Sequence, residues 1–210
     1  LYNAEGKSLG TAWRKEDYDD SAWPSGKTFI GKGTARQKYK MATTIEMGPR
    51  TFYFRKSFDF DQPAAGGELQ LQYLVDDGAV FYLNGKEIHR VNMKDRGSIR
   101  YTTRALSSVR DAELNGPIQL SGKDLKQGKN VFAVELHQYS TNDSDLAFGA
   151  SLGATVESLP DGIILNELMA ANRGSVKNGD TNPDWIELYN PTSREIDLTG
   201  AGLGDGVSEK

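Results

Sequence analysis

The sequence predicts an all-β chain built as an antiparallel β-sandwich, and three observations carry that prediction. Phe52, Phe54, Phe58 and Phe60 fall on one parity, as do Leu69, Leu71, Tyr73 and Val75, then Phe132, Val134 and Leu136, then Leu146, Phe148, Ala150 and Leu152. Alternation with a period of two marks strands that bury one face. Asn84-Gly85 tolerates positive φ at both positions and separates two short apolar runs, the strongest short-range hairpin signal in the chain. No helical period of useful length occurs before residue 158, and the 23 glycines fit many short strands and turns.

Residues 1–50 are polar and turn-rich, with Trp13, Tyr18, Trp23 and Phe29 set among charges, and read as irregular loops with one or two short strands. The alternation over 52–60 predicts the first long strand, with Lys56 the one charge on its apolar parity. A second strand covers 69–75. Ala79–Leu83 and Glu87–Val91 form the hairpin around Asn84-Gly85. Residues 94–128 read as a charged excursion with one short strand near Ile99–Thr103. The turn Gly128-Lys129-Asn130 leads into a strong strand, Val131–Gln138, and another alternation begins at Leu146. Leu159-Pro160-Asp161-Gly162 stops pairing on both sides and divides the chain into a sandwich over 1–158 and a segment over 162–210. That segment reads as strands at Ile163-Ile164-Leu165 and Trp185–Tyr189, a polar loop from Asn172 to Pro183, and a third strand starting at Ile196 and Leu198. Three or four strands make at most half of a sandwich of about 100 residues.

Composition narrows the function. The 210-residue chain carries a net charge of −4 with basic and acidic residues interspersed, which argues against a nucleic-acid partner, since a phosphate binder presents a basic face. It has no cysteine, so disulfides, zinc–thiolate sites and thiol nucleophiles are excluded together. No apolar run approaches the roughly 20 residues of a membrane span. The first residue is Leu1 rather than Met, and the chain is expected to be a processed or excised piece of a longer protein. A serine-nucleophile elbow, a P-loop and a His-Glu-x-x-His zinc motif are all absent, so catalysis is not expected.

Chemistry concentrates in acidic loops. Asp76 and Asp77 stand where a strand meets a Gly turn, and adjacent carboxylates repel unless a cation, a donor-rich ligand or water offsets them. Calcium takes six to eight oxygens, so two side chains are too few alone. Asn142, Asp143, Ser144 and Asp145 form a second oxygen-rich loop that is placed to meet the first. Asp17, Asp19 and Asp20 form a third, from which Asp19 is taken as a ligand. Against this stands turn chemistry, in which Asp simply bonds local backbone. Glycan binding needs aromatic faces with a few fixed polar groups. Trp13, Tyr39 and Tyr139 are the rings chosen for it, from a larger set that includes Tyr18, Trp23 and Tyr101. Arg36, Arg50, Arg90, Arg96 and Arg104 offer planar donors, with Arg90 preferred. His89 and His137 lie near strand ends, with His137 taken as a ligand contact. An ordinary hydrogen-bonded histidine is the alternative reading for both.

Two families are resembled. Ile164-Leu165-Asn166-Glu167-Leu168-Met169-Ala170, Asp184-Trp185-Ile186-Glu187-Leu188-Tyr189-Asn190-Pro191 and Ile196-Asp197-Leu198-Thr199-Gly200 resemble the opening half of a lamin-tail domain, which implies a partial immunoglobulin-like β segment. Asp19-Asp20-Ser21-Ala22-Trp23-Pro24-Ser25-Gly26, Tyr53-Phe54-Arg55-Lys56-Ser57-Phe58, the block from Asp76 to Gly85, and Asn130–Gln138 resemble the galactose-binding-like jelly-roll modules of bacterial surface and secreted proteins. That resemblance implies a carbohydrate-binding accessory module with a structural calcium ion and an extracellular or cell-surface location. The Asp-Asp-Gly block is also similar to part of the PA14 family pattern, in which adjacent aspartates hold calcium beside a sugar. The expected function is a non-catalytic carbohydrate-binding module. Its rivals are a structural or protein-interaction spacer and a glycan- or phosphate-active enzyme domain. Unpaired sheet edges invite association, so three readings of the C-terminal segment stand side by side: packing against the sandwich, self-association with another copy, and an artefact of cleavage.

Overall fold

Two five-stranded sheets face each other across an apolar layer. The computed structural model describes residues 1–33, 38–61, 67–155, 162–169, 172–174 and 177–199. The chain divides into two units, Leu1–Val156 and Glu157–Lys210. In the first unit, one sheet has the order β1 (Tyr2–Asn3), β4 (Thr51–Phe60), β9 (Gly128–His137), β6 (Gly78–Leu83) and β7 (Lys86–Val91). The other has the order β3 (Thr43–Thr44), β2 (Ile30–Lys32), β10 (Leu146–Thr155), β5 (Glu68–Asp76) and β8 (Leu114–Ser121). Pairing is antiparallel throughout, except for β2 with β3. This is the all-β sandwich that the alternation predicts.

The even-numbered residues of β4 face the opposite sheet. Phe52 and Phe54 join Phe81, Val134, Leu136, Leu71, Val75 and Phe148 in the interlayer core, where Phe54 stacks on Phe148 with centroids 4.0 Å apart. The odd-numbered residues are buried too. Tyr53 packs with Val80, Tyr82, Val131 and Ala133 under a lid of Trp13, Trp23, Met93 and Ala105. The irregular N-terminal loops and the strap after β7 therefore cover the outer face of this sheet, which is why β6 reads as an unbroken apolar run rather than an alternation. A short 3₁₀ turn, Ala12–Arg14, puts Trp13 into that lid. Arg55 fastens it, donating from Nε to Asp20 Oδ2 at 2.7 Å and from Nη1 to the carbonyls of Trp13 and Lys15.

The β6–β7 turn is the one predicted, with φ of 51° at Asn84 and 85° at Gly85. Two expectations from the excursion need correction. Ile99–Thr103 is not a strand but a turn, closed by Thr103 N–H to the Arg100 carbonyl at 2.8 Å. Leu114–Ser121 is a strand, pairing β5 at the sheet edge; its outer face is solvated and its register is broken between Leu71 and Tyr73, so its sequence shows little apolar alternation.

In the second unit, β11 (Ile164–Met169) pairs β12 (Trp185–Tyr189) antiparallel. The loop between them is tied by Asn172, whose Nδ2 donates to the Pro183 carbonyl and whose N–H donates to Asp184 Oδ1. The strand expected from Ile196 and Leu198 is not formed. Leu159, Pro160 and Asp161 of the expected boundary, and Arg36, lie outside the described residues.

Candidate functional site

The end of β5 buries two adjacent aspartates that no described salt bridge engages. Asp76 and Asp77, joined by a cis peptide bond, are each 2% exposed. Pairing of Asp76 with Ala147 sets the start of β10, and the 142–145 loop before it, beside the pair. The two carboxylates do different things. Asp77 is a fastener: Oδ1 accepts the Val109 N–H at 2.7 Å, Oδ2 accepts the Tyr139 N–H at 2.8 Å, and its backbone carbonyl accepts Asn92 Nδ2 at 3.1 Å. It thereby ties together the strap 92–109 and the loop after β9. Gly78 lets that strap approach, since a Cβ there would lie 2.8 Å from Met93 Sδ and 2.9 Å from the Asn92 carbonyl oxygen. Asp76 has no such employment: its Oδ2 is buried without a hydrogen-bond partner.

Burial first, then the charge of Asp77 and a side-chain hydrogen bond with it, then the charges of Asp145 and Asp143, push the Asp76 carboxyl up to about 8. Asp77 is also raised, by burial, against the lowering pull of the Tyr139 and Val109 N–H groups. Asp145 is raised by burial and then by Asp77 and Asp143. No described salt bridge engages any of these four carboxylates. The oxygen-only donor set and the orphaned Asp76 oxygen suit a hard cation. Among the described residues, however, no three His, Asp or Glu side chains are grouped to hold a metal by themselves. Ligands beyond the carboxylates, from carbonyls, amides or water, are required to complete a shell.

The sequence candidates divide by placement. Asp143 sits at the cluster, its Oδ2 accepting the Ser140 N–H at 2.8 Å. Asn142 is exposed on the same turn, its N–H donating to Ser140 Oγ at 3.1 Å. Tyr139 follows immediately on the Asp77 anchor and is 44% exposed. Tyr39 packs against Phe29 in a small cluster that includes Val109 and Ala147, and is half-buried near the same end.

Trp13, Arg90, His137 and Asp19 are elsewhere or occupied. The Trp13 ring is fully buried and offers no face to a ligand, because the 3₁₀ turn folds it onto the sheet. Arg90 spends its guanidinium on Glu87, at 2.5 and 2.7 Å, and on the Lys94 carbonyl. Asp19 Oδ1 accepts the Ser21 N–H at 3.0 Å; hydrogen bonds from Ser21 hold its carboxyl below the usual range, and its neighbour Asp20 is neutralised by Arg55.

His137 is completely buried within a second polar cluster. Its Nδ1 contacts the Thr103 carbonyl at 2.9 Å and Thr51 Oγ1 at 3.0 Å, while Nε2 lies 3.5 Å from Glu135 Oε2. Glu135 Oε1 also accepts from Arg14 Nη2 at 2.8 Å and from Tyr82 Oη at 2.5 Å. Burial alone would raise the Glu135 carboxyl, but His137, Tyr82 and Arg14 outweigh it and hold the group below its ordinary value. This network sits under the Trp13 lid and fixes it to the sheet. His89 does not join it: it faces Phe81 on β7, whereas His137 faces Gly78 on β9, two strands away.

Sequence reading passed over Asp145 as a committed ligand and missed the anchoring role of Val109. The start of the Leu146 alternation is the available signal for Asp145, since it fixes which acid borders the strand. Val109 lies in a stretch without period, and nothing local marks its N–H.

No protein-family model matches the chain, and no curated protein matches it. Among solved structures, the chain is similar to the crystal structure of a β-D-mannosidase from Dictyoglomus thermophilum, at 12% identity and a TM-score of 0.27, over 59% of this chain and 17% of that one. No described helix is long and apolar enough to cross a membrane, which leaves β-barrels unaddressed.

Proposed function

We propose that the first unit is a non-catalytic binding module that takes a glycan at the Asp76–Tyr139 end of the sandwich, with calcium as an organising ion, in a protein of the cell surface or exterior. The reading extends the galactose-binding-like and lamin-tail resemblances of the sequence. One observation carries it: a buried carboxylate oxygen without a partner, on Asp76, within a cluster of unneutralised acids and beside the exposed ring of Tyr139. Calcium would draw on Asp76 and one carboxylate of the 143–145 loop, with the Asn142 amide, backbone oxygens and water as further donors. Bound there, it offsets the repulsion that raises these carboxyls. Tyr139 supplies the flat apolar face for a sugar ring. The buried Glu135 and His137 are committed to holding the lid, so binding proceeds without turnover.

Calorimetric titration with calcium chloride, followed by a glycan array with and without chelator, tests the proposal. Calcium binding that Asp76→Asn abolishes, together with chelator-sensitive glycan signal, is the expected result. Calcium binding unchanged by that substitution, or an array silent in both conditions, overturns it.

A further inference from the structure

The strap that covers the outer face is strongly basic. From Lys94 to Arg110 the chain holds five basic side chains, Lys94, Arg96, Arg100, Arg104 and Arg110, against one acid, Asp95, although the net charge of the whole chain is −4. All five are exposed, and Arg50, just before β4, is half-buried. Among the described residues none of these six side chains enters a salt bridge or a hydrogen bond. Arg55 and Arg90, by contrast, are spent on Asp20 and Glu87.

Backbone bonds bring three of these arginines to the residues that present Tyr139. The Arg50 carbonyl accepts the Gln138 N–H at 2.9 Å. Arg104 lies between Thr103, whose carbonyl meets His137 Nδ1 at 2.9 Å, and Ala105, whose N–H donates to the Gln138 carbonyl at 3.4 Å. Arg110 follows Val109, whose N–H donates to Asp77 Oδ1, while Asp77 Oδ2 accepts the Tyr139 N–H. Each of the three thus leaves the chain within one residue of a bond to segment 137–139 or to the aspartate that anchors it. Lys94, Arg96 and Arg100 have no such tie among the described residues.

Resting on the glycan reading of this end, we infer that the sugar it takes is acidic, and that Arg50, Arg104 and Arg110 receive its carboxylate or sulfate while Tyr139 packs on the ring. Exposed cations cost little in water, so placement rather than number carries the argument. The three that gather at Tyr139 are all arginines on backbone fixed by long-range bonds. A guanidinium fork meets an oxyanion bidentately and is more weakly hydrated than an ammonium. Asp143 and Asp145 at the same end would repel such a ligand. Calcium at the acids removes that repulsion, so the acidic sugar and the cation are bound together.

The test uses the full chain in calcium-containing buffer with two matched pairs: trigalacturonate against its methyl ester, and a sulfated carrageenan tetrasaccharide against its desulfated form. The acidic member of one pair is expected to bind about tenfold more tightly than its neutral partner, and the pair that does so distinguishes carboxylate from sulfate. The preference should shrink at about 0.5 M salt. Combining Arg50→Gln, Arg104→Gln and Arg110→Gln should abolish it while calcium binding persists. A control combining Lys94→Gln, Arg96→Gln and Arg100→Gln removes the same charge and should keep the preference. Equal binding of acidic and neutral members overturns the inference and leaves the glycan reading standing. So does equal loss in the two triple variants, which marks the field of net charge rather than a site. Silence of all four sugars overturns the glycan reading, and the inference with it.

Discussion

Asp77 holds the backbone N–H of Tyr139 at 2.8 Å, so the exposed ring proposed to meet a sugar hangs directly from the acidic pair. The adjacent aspartates are therefore separable by mutation. Asp77→Ala strands two buried N–H donors, those of Val109 and Tyr139, at a cost of about 1–3 kcal/mol for each group left unpaired. Asp76→Asn replaces a carboxyl whose buried Oδ2 has no partner and should leave calcium-free stability unchanged or raised, while calcium no longer stabilises the variant. Urea unfolding of both variants with calcium and with chelator measures the split. Equal destabilisation by the two would refute the division of roles.

The same pair predicts a pH dependence. The folded chain keeps a proton on Asp76 up to about 8, whereas the unfolded chain releases it in the ordinary carboxylate range. Between those limits the folded state binds more protons, so stability falls as pH rises. The calcium-free urea midpoint should decline between about pH 5 and pH 8, and Asp76→Asn should flatten the decline. Calcium competes with that proton, so its affinity should rise over the same interval. A midpoint that climbs with pH in the parent chain, and is insensitive to the substitution, would contradict the assignment.

Glu135 acts with the opposite sign. Its folded carboxyl lies below the ordinary value because His137, Tyr82 and Arg14 outweigh the burial that would raise it. Its stabilising contribution is thus present above the unfolded carboxylate pKa and is lost as pH falls through the lowered folded value. Glu135→Ala leaves Arg14, whose side chain is 14% exposed, facing Tyr82 without a counter-ion. A loss of about 3–5 kcal/mol is expected for breaking such a buried pair from one side. A double-mutant cycle with Arg14→Ala, followed by denaturant unfolding, should recover a favourable coupling; a coupling near zero would show that Glu135 is held by Tyr82 and His137 alone.

The long strands were legible because each buries at least one face continuously. Phe52–Phe60, Leu69–Val75 and Leu146–Leu152 announce themselves by parity, and Asn84-Gly85 by its φ. β8 was illegible because an edge strand with a solvated face and a register break needs little apolar pattern. The acidic loops at Asp76 and Asn142–Asp145 were also legible, since charge density at a strand end is a local property. What sequence could not reveal is which rings the lid consumes. Trp13 and Tyr139 are both aromatics among polar neighbours, yet Trp13 is held in place by Arg55, Tyr53 and Tyr82, residues distant in sequence. His137 likewise carries no local mark of its complete burial.

That contrast gives a direct comparison of two rings. Tyr139→Ala removes an exposed side chain and should change stability by less than about 0.5 kcal/mol, while weakening any glycan response at least tenfold if its face carries the contact. Trp13→Ala empties a buried site against Tyr53 and Tyr82 and should cost about 3–5 kcal/mol, loosening the lid that these rings close at 4.7 and 6.0 Å. Thermal unfolding paired with glycan binding for both variants separates recognition from packing. Full glycan binding by Tyr139→Ala would remove that ring from the proposed site.

The C-terminal unit carries the last expectation, self-association. Leu168 and Ile186 are cross-strand partners on β11 and β12, and they are 59% and 40% exposed. Ile164 and Tyr189, also partners, are half exposed as well. A two-stranded sheet is marginal alone in water, and apolar pairs exposed among the described residues favour burial against another surface. Sedimentation velocity across a hundredfold concentration range should show reversible association of the chain. Leu168→Glu combined with Ile186→Lys keeps a cross-strand ion pair while removing the apolar surface, so it should restore a monomer without unpairing the two strands. A parent chain that stays monomeric throughout, or a double variant that associates as before, would place the covering surface elsewhere.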